Sequence, residues 1–104
     1  MEKKERLNLL YDFYGELLNE NQRTVFEDYI ENDLSLSEIA EERGISRQGV
    51  HDMVKRLEKT LEGYEEKLHL LRRFQDIKED VASLKGKTKD PEILKSLDDI
   101  IDKL

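Results

Sequence analysis

The chain has no cysteine among its 104 residues. That excludes disulfides and thiolate chemistry and fits a reducing compartment. Proline occurs once, at Pro91, and glycine only five times. So few helix breakers, beside abundant Leu, Glu and Lys, point to an all-α protein. No run of alternating β-branched residues competes with that reading. No apolar stretch approaches the roughly 20 residues of a membrane span, and MEKKERLNLL has no apolar run long enough for a secretory signal. A cytoplasmic protein with no membrane association is the expectation. A positive net charge is also missing: the formal value is −7. Nucleic-acid binders are usually basic, because phosphate neutralisation supplies much of their affinity. The acidity, however, is concentrated early. Residues 1–35 hold nine acids and four bases, whereas residues 36–62 hold six and five.

What is present is helical periodicity. Leu7, Leu10, Tyr11, Tyr14, Leu17 and Leu18 make one apolar face of a first helix over about 3–18, within which Gly15 would permit a close helix crossing. Asn19 and Gln22 form a capping-box pattern opening a second helix to about Glu31, with Val25, Phe26, Tyr29 and Ile30 inward. Ser35 and Glu38 repeat the pattern for a third, with Leu36, Ile39 and Ala40 inward. Gly44 marks a turn that favours positive φ, and Ile45 is expected to insert from it into the core. Ser46 caps a fourth helix whose inward positions are Val50, Met53 or Val54, and Leu57. The apolar series continues through Leu61, Tyr64, Leu68, Leu71, Phe74, Ile77, Val81 and Leu84. This predicts one long helix from Arg47 to about Leu84, or a kink near Gly63. A loop over 85–89 follows. Asp90-Pro91-Glu92 then opens a last helix with Ile93, Leu94, Leu97, Ile100, Ile101 and Leu104 on one face. That helix should fold back as a hairpin or pair with another chain. The expected division is 1–62, an N-terminal helix plus core unit, and 63–104, a helical extension.

The stretch Leu34–Leu57 has the grammar of a helix-turn-helix. The second helix of such a unit enters the DNA major groove with its early side chains on base edges. The candidates are Arg47, Gln48 and His51, beside Asp52, with Lys55 and Arg56 one turn on. Arg47 suits guanine, Gln48 suits adenine or a phosphate, and the free amides after Ser46 suit a phosphate. The blander reading is a tri-helical core unit used only for protein contacts.

From Leu18 through NENQRTVFEDYI and LSLSEIAEERGISRQGVHDMVKRLEKTLEGYEEKL, the chain resembles region 4 of bacterial sigma factors, a tri-helical unit that reads a promoter element. Across nearly its full length it is also similar to the YlxM family of small bacterial proteins. LYDFYGELL, ISRQGVHD and YEEKLHLL carry that match. The resemblance implies a cytoplasmic protein linked to the signal recognition particle, with the particle's RNA or its GTPase as partner. The fold it implies is a wing-free helix-turn-helix core with an added N-terminal helix and a C-terminal helical hairpin.

A second candidate surface is the segment from Lys67 to Lys89. It sets Lys67, Arg72, Arg73, Lys78, Lys85, Lys87 and Lys89 against Asp76, Glu79 and Asp80. Such a segment could follow an RNA backbone, although solvated helix faces often look the same. The stripe from Leu57 to Leu84 is long for one short helix to cover, and a homodimer would bury the remainder. Catalysis has little to build on. His51 and His69 are far apart in sequence, and no nucleophile–base pattern, glycine-rich phosphate loop or metal-ligand spacing is present. No enzyme activity, cofactor or metal is expected. Two functions follow. One is a non-enzymatic accessory or regulatory protein of the signal recognition particle pathway. The other is a DNA-binding transcriptional regulator.

Overall fold

Side-chain caps set where the helices begin. The computed structural model describes residues 2–104, and these form six α-helices and no strand. Helix α1 covers Lys3–Tyr14 and passes into a 3₁₀ turn, Gly15–Leu17. Helix α2, Glu20–Phe26, opens on the Asn19 capping box: the Gln22 amide donates to Asn19 Oδ1 at 2.8 Å and the Asn19 amide to Gln22 Oε1 at 3.0 Å. It widens into a π-turn, Glu27–Glu31. Helix α3, Leu36–Arg43, opens on the reciprocal Ser35–Glu38 box, with both bonds at 3.1 Å. Helix α4, Arg47–Leu68, starts where Ser46 Oγ accepts from the Gly49 amide at 3.0 Å. Helices α5, Leu70–Lys85, and α6, Pro91–Asp102, complete the chain. Asp90 caps α6 by accepting from the Glu92 amide at 2.9 Å.

The chain divides into two compact units, one ending at Leu68 and the other starting at His69. The division expected at 62/63 falls inside α4, because the chain does not kink at Gly63. A glycine inside a helix costs only about 1 kcal/mol relative to alanine, and a 22-residue helix with a buried stripe absorbs that. The break comes instead at His69, which adopts the left-handed conformation at φ 57° and ψ 28°. Histidine is among the residues that enter this region more readily than most. The continuous helix to Leu84 is not realised.

The first unit packs α1, α2 and α3 around the buried stripe of α4. That stripe is Val50, Val54, Leu57 and Leu61, so Val54 rather than Met53 takes the inward position. Against it lie Leu7, Leu10, Tyr14, Leu18, Val25, Phe26, Ile39 and Ala40. The Tyr11 and Phe26 rings stack 4.4 Å apart. Two expected core positions are exposed. Leu17 is 57% exposed, because the 3₁₀ turn changes the angular phase after Tyr14 and sends Leu18 inward instead. Ile45 is 41% exposed, because the chain leaves Gly44 directly into the Ser46 cap. Tyr29 and Ile30 are only half-buried. Gly15 serves its own helix rather than a helix crossing: a Cβ there would meet the Tyr11 ring at 2.9 Å.

In the second unit, α5 and α6 form a hairpin joined by a short loop. Leu71, Val81 and Leu97 are buried, while Phe74, Leu94 and Ile101 are half-buried. Ile77, Leu84, Ile93, Ile100 and Leu104, which the periodicity places in the apolar stripes, are exposed. Lys85 pairs with Asp98 across the hairpin.

The glycines of the first unit should respond with opposite signs. Gly44 has φ +67° and nothing within 4 Å of a built Cβ, so Gly44→Ala should destabilise by about 1 kcal/mol through backbone strain alone. Gly63 is helical, with equally open space. Gly63→Ala should stabilise by about 0.5–1 kcal/mol. Urea unfolding of both variants checks the pair.

Candidate nucleic-acid interface

The position of α4 determines what its outer face can meet. At 100° per residue, the buried stripe Val50–Val54–Leu57–Leu61 places Gln48, Asp52, Lys55 and Lys59 on the opposite side. His51 and Arg56 lie at the two flanks of that outer face. Arg47 occupies the first turn, in angular register with the buried stripe, and is exposed because the helix begins there. The structure therefore brings together Gln48, His51 and Lys55, sets Arg56 at one edge, and places Arg47 one turn before His51, off the outer face. Lys59 was not among the candidates from sequence. Its signal was present, since it follows Lys55 by four residues and so shares its face.

The early outer face is tied together internally. Gln48 Nε2 donates to Asp52 Oδ1 at 3.0 Å and lies 3.5 Å from His51 Nδ1. His51 Nδ1 is in turn 3.4 Å from Asp52 Oδ1. The Gln48 amide is thus already engaged, and Asp52 is a carboxylate at the centre of the surface. Lys55, Arg56 and Lys59, one turn on, are exposed.

Glu58, Glu62 and Glu65 of α4 are turned to α1, whereas Glu66 is exposed on the outer side. Glu58 lies between Lys3 at 3.2 Å and Lys55 at 3.6 Å, with its side chain only 15% exposed. Glu62 accepts two hydrogen bonds from the Arg6 guanidinium, at 2.6 and 2.8 Å. Glu65 is buried and accepts from the Tyr14 hydroxyl at 2.6 Å. The bidentate hydrogen bonds from Arg6 hold the Glu62 carboxyl below its ordinary range, against the opposing cost of desolvation. From Gln48 to Thr60 the outer face accordingly carries Lys55, Arg56 and Lys59 against one outward acid, Asp52, with Lys55 also 3.6 Å from Glu58.

The second candidate surface is less coherent. Asp76 sits three and four residues after Arg73 and Arg72, and Glu79 and Asp80 follow on the same side of α5, so acids and bases interleave there. Lys78 lies over the Phe74 ring, 5.5 Å from its centroid. Lys85 is paired with Asp98. Lys87 and Lys89 are exposed in the loop, and Lys67 belongs to the end of α4 in the other unit. Among the described residues no group of three His, Asp or Glu side chains is placed to hold a metal ion, and no helix is long and apolar enough to cross a membrane.

The sequence matches known proteins along most of its length. A family model described as "Putative helix-turn-helix protein, YlxM / p13 like" (UPF0122) covers residues 1–100. A UPF0122 protein of Thermoanaerobacter sp. (strain X514) is 48% identical over 101 residues, spanning 90% of this chain and 86% of the relative. A UPF0122 protein of Bacillus cereus (strain AH187) is 53% identical over 85 residues, spanning 82% of this chain and 77% of the relative.

The Arg6–Glu62 pair has a pH signature. Because the folded-state pKa of Glu62 is lowered, its contribution is complete above the ordinary glutamate range and is lost as pH falls through the lowered value. Glu62→Gln should therefore flatten the acid limb of the stability curve. Its neutral-pH stability should fall by no more than about 1 kcal/mol, since both side chains are about two-fifths exposed. Urea midpoints from about pH 7 down to about pH 3 measure this.

Proposed function

Since the chain belongs to the YlxM / p13-like family of helix-turn-helix proteins, we propose that it is a non-enzymatic accessory or regulatory protein that acts by binding nucleic acid through α4. The observation that carries this reading is the sorting of charge on that helix. Glu58, Glu62 and Glu65 face α1, while Lys55, Arg56 and Lys59 face out. A protein of net charge −7 thereby presents a local cationic surface, and local potential governs the encounter with phosphate.

The same geometry favours backbone contact over base reading. Gln48 and His51 are engaged with Asp52, so the side chains best suited to base edges are the ones already occupied. Lysines and an arginine that follow phosphates suit an RNA helix, which proteins bind largely by shape and backbone. The family resemblance favours a setting in the signal recognition particle pathway, with the particle's RNA as ligand of α4 and its GTPase as protein partner. A DNA-binding transcriptional regulator is the second reading. Arg47 favours it, being exposed in the first turn of α4 among amides suited to a phosphate.

Fluorescence anisotropy with the particle's RNA and with a random-sequence DNA duplex, across a salt series, tests this. Binding should weaken steeply with salt. Lys55→Ala, Arg56→Ala and Lys59→Ala should each lower the salt slope by about 1. Asp52→Ala should tighten binding to either nucleic acid. Under the DNA reading, Arg47→Ala should cost roughly 1–3 kcal/mol at one base position only. No binding to either nucleic acid at low salt would refute the proposal.

A further inference from the structure

The α5–α6 hairpin leaves a seam of large apolar side chains uncovered. Ile77 and Leu84 stand one heptad apart on α5, and Ile93 and Ile100 one heptad apart on α6, with Leu104 a turn beyond. Their exposures are 37, 50, 48, 44 and 50% in that order. Heptad spacing sets side chains along one line of a helix. On α5 that line borders buried Val81, and on α6 it borders buried Leu97. In each helix the ion-paired residue, Lys85 or Asp98, lies on the far side of Val81 or Leu97 from the apolar line. The ion pair closes one edge of the hairpin, so in an antiparallel pair both apolar lines run along the opposite edge.

We propose that this edge is a self-association surface, on which a second copy of the chain docks its own α5–α6 edge. Two features select a second copy as occupant. The first is area. At these exposures the five side chains present on the order of 400 Å² of apolar surface, at the high end for a monomer and close to the apolar share of the ~800 Å² that each partner of a stable pair buries. The second is charge. Helix α5 carries four bases against three acids, and α6 four acids against one base. In a two-fold pair that sets α5 against the partner's α6, this complementarity occurs twice. The acidity of α6 also disfavours an anionic lipid surface as the occupant.

Sedimentation velocity on the full chain at micromolar concentration reads the proposal directly. The wild type should sediment at twice the chain mass, and the double variant Ile93→Asp/Ile100→Asp at the mass of one copy. Helical circular dichroism should not change, since both side chains are already about half exposed. Should the double variant lose helicity, single cysteines decide, because the chain has none of its own. Ile100→Cys should cross-link copies on oxidation, and Ser83→Cys, on the side of α5 away from α6, should not. A wild type at single-copy mass throughout, which a surface for a different protein would give, overturns the proposal. So does a dimer that survives in the folded double variant, or equal cross-linking from Ser83→Cys.

Discussion

The contact between α1 and the acidic flank of α4 is the constraint on which the first unit depends. Three acids of α4 meet three partners from α1, in the same order along both helices: Glu58 with Lys3, Glu62 with Arg6, and Glu65 with Tyr14. Their energies differ. The two ion pairs involve partly exposed side chains, and such pairs contribute at most about 1 kcal/mol each. The third is buried, and a buried carboxylate must be hydrogen-bonded to be tolerated at all. Removing one partner of a buried hydrogen bond leaves the other unsatisfied at a cost of about 1–3 kcal/mol. Tyr14–Glu65 therefore fixes how α1 sits on α4, and the ion pairs refine it.

That fixed crossing has an electrostatic consequence on the far side of the helix. With Glu58, Glu62 and Glu65 engaged by α1, the outer face of α4 between Asp52 and Glu66 carries Lys55, Arg56 and Lys59, and Lys55 also touches Glu58 at 3.6 Å. A chain that is acidic overall becomes locally cationic on one helix face. The N-terminal helix is thus more than additional core, because its Lys3 and Arg6 offset Glu58 and Glu62, leaving Lys55 to share Glu58 rather than neutralise it alone.

The capping chemistry shows why parts of the fold were legible from residues alone. Asn19, Ser35, Ser46 and Asp90 each satisfy amides within a few residues, so local sequence suffices to place those helix starts. The break at His69 is different. Gly63 is intrinsically the weaker helix former, yet the helix passes through it, since a penalty of about 1 kcal/mol is smaller than the burial gained by keeping Leu61 and Glu65 in register. The heptad pattern likewise identified which residues of α5 and α6 are apolar. It did not separate Val81 and Leu97, which are covered, from Ile77 and Ile100, which are not.

The amino-acid sequence by itself determined an all-α chain, its caps, the turn at Gly44 and the run Arg47, Gln48, His51, Lys55 and Arg56 on the second helix of the helix-turn-helix. Each follows from interactions spanning no more than a turn or two of chain. Only the tertiary structure decided which charges remain available. Glu58 and Glu62 read as ordinary surface acids until Lys3 and Arg6, more than fifty residues away, are placed beside them. Lys59 gains its place on the outer face only once the buried side of α4 is known. Helical periodicity specifies which residues share a face. It carries no information about what lies against that face, and on this protein that is what sets the sign of the surface.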